Sequence, residues 1–203
     1  MNAREEILGA VRRAIRDTPR ALEVPTEPVP WSTGDVDLFC ERVQDYGAVV
    51  HRRTKAAMPR LVAELVTARH IGALGVPVDL PGDVLRSLTS SVTAVVDNGL
   101  SAAELDDLDG VLTSSRLGIA ATGTIVLDHA AGQGRRALTL VPDYHLCLVD
   151  AASIADDVPA ALAALVPTRP MTLISGPSAT SDIELSRIEG VHGPRTLEVI
   201  VLD

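Results

Sequence analysis

Short apolar runs rich in branched residues, broken by stretches with helical spacing, constrain this chain more than any other feature of it. Ala48 to Val50, Ile71 to Val76, Val92 to Val96 and Gly110 to Thr113 are the first such runs. Ile119 to Leu127, Ala137 to Val141, His145 to Val149, Met171 to Ile174 and Thr196 to Leu202 follow. A strand apolar on both faces has to be covered on both faces, as strands of a parallel sheet are. The stretches between supply the cover. Asp37 to Tyr46 places Leu38, Phe39, Arg42, Val43 and Tyr46 on one side and ends at Gly47. Pro59 to Arg69 opens with a proline in its first turn, Ser101 to Glu104 is a capping box, and Ile154 to Leu165 has helical length. The fold class is therefore α/β, a mostly parallel sheet with helices on both faces. Between Ile119 and Val149 the runs are separated by turn-length stretches only, which predicts an antiparallel patch.

Ahead of this body stands a different segment. Asn2 to Asp17 reads as a helix: Asn2 can cap it, Glu5 completes the pair, and Ile7, Leu8, Val11, Ala14 and Ile15 share a face. Thr18-Pro19 stops it, and Pro19, Pro25, Pro28 and Pro30 make a stiff, aperiodic linker. Two parts are expected: residues 1–33 as a helical arm with its Pro-rich linker, and residues 34–203 as the α/β domain. The arm is expected to fold back on its own domain.

Charge and composition exclude several roles. With 18 Lys and Arg against 27 Asp and Glu, the net charge of −9 does not suit a polyphosphate backbone. The aromatic residues are Trp31, Phe39, Tyr46 and Tyr144, too few for stacking platforms, so nucleic acid is not the ligand. Cys40 and Cys147 cannot supply the four thiolates of an ordinary iron–sulfur cluster or a Cys-rich zinc site. The five histidines, His51, His70, His129, His145 and His192, lack metal-ligand spacing, so no metal and no cofactor is expected. Met1 to Asp17 lacks the apolar core of a signal peptide, and no apolar run reaches the roughly 20 residues of a membrane span. A cytoplasmic protein without a membrane span is expected.

The usual catalytic signatures are missing. Gly132-Gln133-Gly134 lacks the third glycine of a dinucleotide fingerprint and reads as a hairpin turn; there is neither a P-loop nor a Gly-x-Ser-x-Gly elbow. Three segments beside strands gather glycine with polar groups instead. The first, Ala121-Thr122-Gly123-Thr124, is either a site or a glycine bulge. The second runs from Ser175 to Glu184. Gly176 there admits a close approach, Ser178, Thr180 and Ser181 offer hydroxyls, and a helix start would favour a carboxylate or phosphate. Ser181 to Glu184 is also a capping box, whose acids would compete for the same helix end. Leaving the strand Met171 to Ile174, the second segment is expected in the crevice at the carboxyl ends of the strands, where open α/β sheets bind ligands. The third, Glu189 to Arg195, holds His192 between glycines, suited to acid–base work, with Arg195 able to pair with a carboxylate. A rigid turn would have the same residues.

Gly118 to Val126, Arg135 to Pro142, Ile174 to Glu184 and Gly190 to Pro194, in this order and spacing, resemble the lactate utilization protein C family, the LUD domain, over roughly residues 34–203. The resemblance implies a fold of the sugar-phosphate isomerase and CoA-transferase type. It further implies membership of a three-protein system oxidising L-lactate to pyruvate, whose other subunits carry the iron–sulfur clusters. Ala121 stands where the family has an acidic residue, so Glu184 or Asp182 covers that role or the acid is not catalytic. Glu184 and His192 are the catalytic candidates. Ligand contacts are expected at Thr122, Gly123, Thr124, Gly176, Ser178, Thr180, Ser181, His192 and Arg195, for a small carboxylate or phosphate. Two other readings compete: a stand-alone isomerase- or CoA-transferase-like enzyme acting on a phosphosugar or acyl-CoA, and a non-catalytic assembly subunit. Deleting residues 1–30 is expected to leave a soluble chain with one cooperative thermal transition in calorimetry, because the later elements suffice for a core.

Overall fold

Each elements' boundaries follow from local chemistry in the computed structural model, which describes residues 3–16, 30–86, 88, 92–180, 188–189 and 193–203. Helix α1 (Ala3–Arg16) has Glu5 and Glu6 in its first turn and Arg13 and Arg16 in its last, matching the helix dipole. None of its residues is buried, and Ile7 and Ile15 are each 64% exposed, so the expected packing of the arm on its domain is not seen. Helix α2 (Val36–Asp45) is capped by Asp35, whose side chain accepts from the Asp37 and Leu38 N–H groups. Strand β1 (Val49–Arg53), helix α3 (Met58–Ala68), strand β2 (Ala73–Pro77), the short helix α4 (Gly82–Leu85) and strand β3 (Thr93–Asp97) follow. Helix α5 (Ala102–Asp106) begins with the expected capping box, Ser101 and Glu104 each bonding the other's backbone.

Strands β4 (Gly110–Ser114), β5 (Leu117–Ile119), β6 (Thr124–Leu127), β7 (Tyr144–Asp150) and β8 (Ile154–Ala155) precede helix α6 (Val158–Ala163). Strand β9 (Thr172–Ile174), the short pair β10 (Ala179–Thr180) and β11 (Ile188–Glu189), and β12 (Thr196–Leu202) complete the chain. The main sheet has the order β1-β12-β7-β4-β2-β3 and is parallel throughout. A second sheet, β8-β5-β6-β9, has β6 antiparallel to both neighbours, so an antiparallel patch is present, but β6 pairs with β5 and the distant β9, while Tyr144 to Asp150 runs parallel in the main sheet instead of joining it.

Burial sets the layers. Leu74, Leu112, Leu146, Ile200 and Leu202 of the main sheet pack on Leu61, Val62 and Val66 of α3. On the opposite face Cys147, Val199 and Val201 pack on Phe39 and Val43 of α2 and on Ile125 and Leu127 of β6. The outer face of the small sheet, through Leu117, Ile119 and Val126, meets Ala160 and Ala161 of α6. The second cover of the main sheet is therefore partly another sheet, not helices alone.

Three expected elements differ. Ile119 to Leu127 is not one strand: Ala120–Thr122 form a tight turn and Gly123 takes φ +59°, where a Cβ would stand 2.6 Å from Arg42 of α2. Ala137 to Val141 is not a strand and Gly132 to Gly134 is not a hairpin turn. Leu138 and Val141 instead share a side at helical-turn spacing, their N–H groups bond Arg135 and Ala137 within the segment, and Leu138 is fully buried. Ile154 to Leu165 is not one helix. Pro159 has to sit in a first turn, where Asp157 caps, so the chain enters as a strand and turns helical at Val158.

Among the described residues three carboxylates are buried, Asp97, Asp128 and Glu198, and Glu198 lies within the main sheet between β1 and β7. Glu198 of β12 has a side chain 3% exposed, with His51 Nε2 2.6 Å from Oε1, and with Arg69 Nε (2.7 Å) and Tyr144 OH (2.9 Å) donating to Oε2. Arg69 also lies 4.7 Å over the Tyr144 ring. Burial opposes the charge, but these hydrogen bonds outweigh it and hold the carboxyl below its ordinary range. Glu198→Ala removes the acceptor shared by His51, Arg69 and Tyr144 and leaves the Arg69 guanidinium without its ion-pair partner. It should destabilise by about 3 kcal/mol, the low end for a broken buried pair because Arg69 and His51 reach water. Urea denaturation measures it.

Candidate functional site

The amino ends of β7 and β12 and the segment leaving β9 enclose a cavity of about 250 Å³. Thr172 to Ser178 form one wall and Gly193 and Pro194 another, with His145 and Leu197 from the main sheet and Thr139 and Leu140 at the floor. The Ser178 N–H donates to the Pro194 carbonyl at 2.8 Å, so the second and third polar segments are joined backbone to backbone. Gly176, at φ +91°, lines the cavity on one side. On the other a Cβ would come within 2.6 Å of Tyr46, so this glycine also lets α2 close on the wall. Because β9 belongs to the small sheet, the segment does not lie at the carboxyl edge of the parallel sheet, as the open-sheet rule implied, but at the opposite edge.

The first segment touches this site through one bond. Thr124 Oγ1 lies 2.9 Å from Ser175 Oγ and 2.8 Å from Thr122 Oγ1, forming a chain of three hydroxyls. Thr122 and Thr124 line a neighbouring groove rather than the cavity, and Ser175 and Leu173 border both. Gly123 faces α2. Arg195 makes a bidentate pair with Asp143, at 2.7 and 2.6 Å, and that guanidinium holds the Asp143 carboxyl below its usual range. Thr180 is placed by its backbone, in register with Ile188. Ser181, Asp182, Glu184 and His192 lie outside the described residues.

His145 is the group the sequence reading passed over. It is 1% exposed, lines the cavity, and its Nε2 lies 2.8 Å from Thr113 Oγ1. Among the described residues no fully buried side-chain nitrogen or oxygen lacks a partner, so Nδ1, which has no such bond, must reach open space. The cavity is the space that this ring borders. Burial pushes its pKa down to about 4, so at neutral pH the ring is uncharged and offers the cavity one hydrogen-bonding nitrogen. The available signal was a histidine inside a run otherwise apolar on both faces, where a polar group must find a partner. Around it the cavity presents hydroxyls from Thr139, Thr172, Ser175 and Ser178, and its described lining carries no formal charge. Thr172 is fixed in turn by His129 Nε2 at 3.2 Å. Such a lining binds by hydrogen bonds, selecting a compact ligand rich in oxygen.

A second cavity of about 300 Å³ opens at the carboxyl edge of the main sheet, beside Ser114, Ser115, Lys55 and Asp150. Its hydroxyls donate to the Gly132 and Leu148 carbonyls, and Lys55 to Asp150 at 2.6 Å. Among the described residues no set of three or more His, Cys, Asp or Glu is placed to hold a metal ion. Nor is any helix long and apolar enough to cross a membrane. Both cysteines are free thiols, and burial pushes the Cys147 thiol up to about 12.

The LUD domain profile matches residues 36–202, from the first residue of α2 to the end of β12. This chain belongs to the LUD domain family. It is 42% identical to Lactate utilization protein C of Deinococcus radiodurans, over 98% of this chain and 95% of that protein. It is 30% identical to Lactate utilization protein C of Shouchella clausii, over 53% of this chain and 49% of that one. The crystal structure of a DUF162 family protein from Deinococcus radiodurans superposes with a TM-score of 0.66 at 37% identity, covering 82% of this chain and 95% of that chain. The parallel sheet with helices is therefore the LUD architecture.

Buried neutral in the fold and titrating near 6.5 when unfolded, His145 stabilises the native state fully above pH 6.5. That contribution is lost as the pH falls toward 4, by about 1.4 kcal/mol per unit inside the window. Denaturation midpoints between pH 7 and 5 should therefore fall more steeply in the parent chain than in His145→Gln.

Proposed function

We propose that this chain is a subunit of a lactate-utilizing system that converts L-lactate to pyruvate, and that it binds a small carboxylate in the cavity beside His145. The similarity to Lactate utilization protein C along nearly the whole of both chains carries this reading. Oxidising lactate to pyruvate releases two electrons and two protons, and iron–sulfur partner subunits take up the electrons in this scheme. The two free cysteines support that division: Cys147 is fully buried in β7, and Cys40 lies on α2, where burial raises its thiol as well.

The hydroxyls of Ser175, Ser178 and Thr172 and the open nitrogen of His145 suit the hydroxyl and carboxylate oxygens of a hydroxy acid. Titration calorimetry with L-lactate, pyruvate and inorganic phosphate tests the reading. L-lactate or pyruvate should bind, and Ser178→Ala should weaken that binding roughly fivefold, the loss of about 1 kcal/mol, with the melting temperature unchanged. Failure of both acids to bind, or an unaltered affinity in the variant, would sink it.

A further inference from the structure

Helix α1 carries an apolar face that nothing in the described chain covers. Ile7, Val11 and Ile15 recur every four residues, with Leu8 beside them, and they are 64, 47, 64 and 37% exposed in the order Ile7, Val11, Ile15, Leu8. A helix this short is marginal in water by itself, so its stability has to come from a surface that takes that face.

The body of the protein presents such a surface. Between α6 and the outer face of the small sheet runs a groove of about 250 Å³, lined mainly by apolar side chains. Its lip exposes Val158 and Leu162, again four residues apart on α6, and Leu173 of β9, which is 59% exposed. Two helices that each present a four-residue ridge can interlock.

Connection and charge identify the occupant. The chain re-enters the body beside this groove: Thr33 bridges Ala155, and the Asp156 N–H donates to the Ser32 carbonyl, just ahead of α6. Residues 17–29 can span at most about 45 Å, more than the ~30 Å width of a small domain, so α1 can reach the groove of its own chain. Four arginines against two glutamates leave α1 at +2, so the rest of a chain of net −9 stands at −11, and exposed Asp156 and Asp157 directly precede Val158 of the groove's lip.

We propose that α1 docks in cis, its Ile7, Val11 and Ile15 ridge seated in the groove between α6 and β9. The docked helix covers the outer side of Leu173 and Ser175, the two residues that the groove shares with the cavity beside His145.

Cross-linking the full chain tests this. In a Cys40→Ser background, Val11→Cys combined with Leu162→Cys should oxidise to an intramolecular disulfide. The product should run as a monomer and form equally well after tenfold dilution. A disulfide-linked dimer would assign the groove to a second copy, and no cross-link would remove the groove as the docking site; either result overturns the proposal. Hydrogen exchange on the unmodified chain supplies an independent reading. Amides of α1 should exchange at least tenfold more slowly than in Leu162→Asp, whose changed side chain is 49% exposed. Equal exchange in the two, or protection of α1 that appears only with anionic phospholipid vesicles, overturns it as well.

Discussion

The pairing of β12 between β1 and β7 is the contact on which the rest depends. The last strand of the chain lies inside the sheet, and its whole length from Thr196 to Leu202 is in register with Tyr144 to Asp150. Its other edge holds β1, which has no other strand neighbour in the main sheet. Val199 and Val201 bury toward α2 while Ile200 and Leu202 bury toward α3, so this strand joins the two main cores. The segment ahead of it, Gly193 and Pro194, becomes a wall of the cavity only because β12 is seated.

Glu198 shows what that seating demands. A carboxylate on a doubly covered strand needs every oxygen satisfied, and its three partners come from β1, the end of α3 and β7. They are in reach only when β12 is in its final register. A slip of one residue would turn the carboxylate into the face packed by Phe39 and Val43. This buried group therefore specifies register more than it adds stability, a role consistent with the modest net gain of buried ion pairs.

Glycine works in the same way around the cavity. Gly123 and Gly176 belong to different polar segments, yet both have positive φ and both lie against α2 or its end, at Arg42 and Tyr46. Their conformations let one helix clamp the small sheet and the β9 segment to the main sheet. Thr124 and Ser175 meet across that joint, so the hydroxyl chain follows from close packing.

The sequence by itself determined the α/β class, the alternation of elements, the capping box at Ser101 and the polar character of the three segments, because periodicity, caps and turn residues are local properties. It also carried the LUD resemblance, written in the order and spacing of four motifs. Only the tertiary structure decided that Ala137 to Val141 turns rather than pairs, since an apolar run is satisfied by any burial and Leu138 finds it without a ladder. It likewise decided which polar residues share a space. Ser178 and Gly193 meet because β9 ends near where β12 begins, Arg195 turns to Asp143, and His145 borders the cavity from the amino end of β7. Those outcomes depend on which strands become neighbours, and strand order is a property of the whole chain that no single stretch of residues contains.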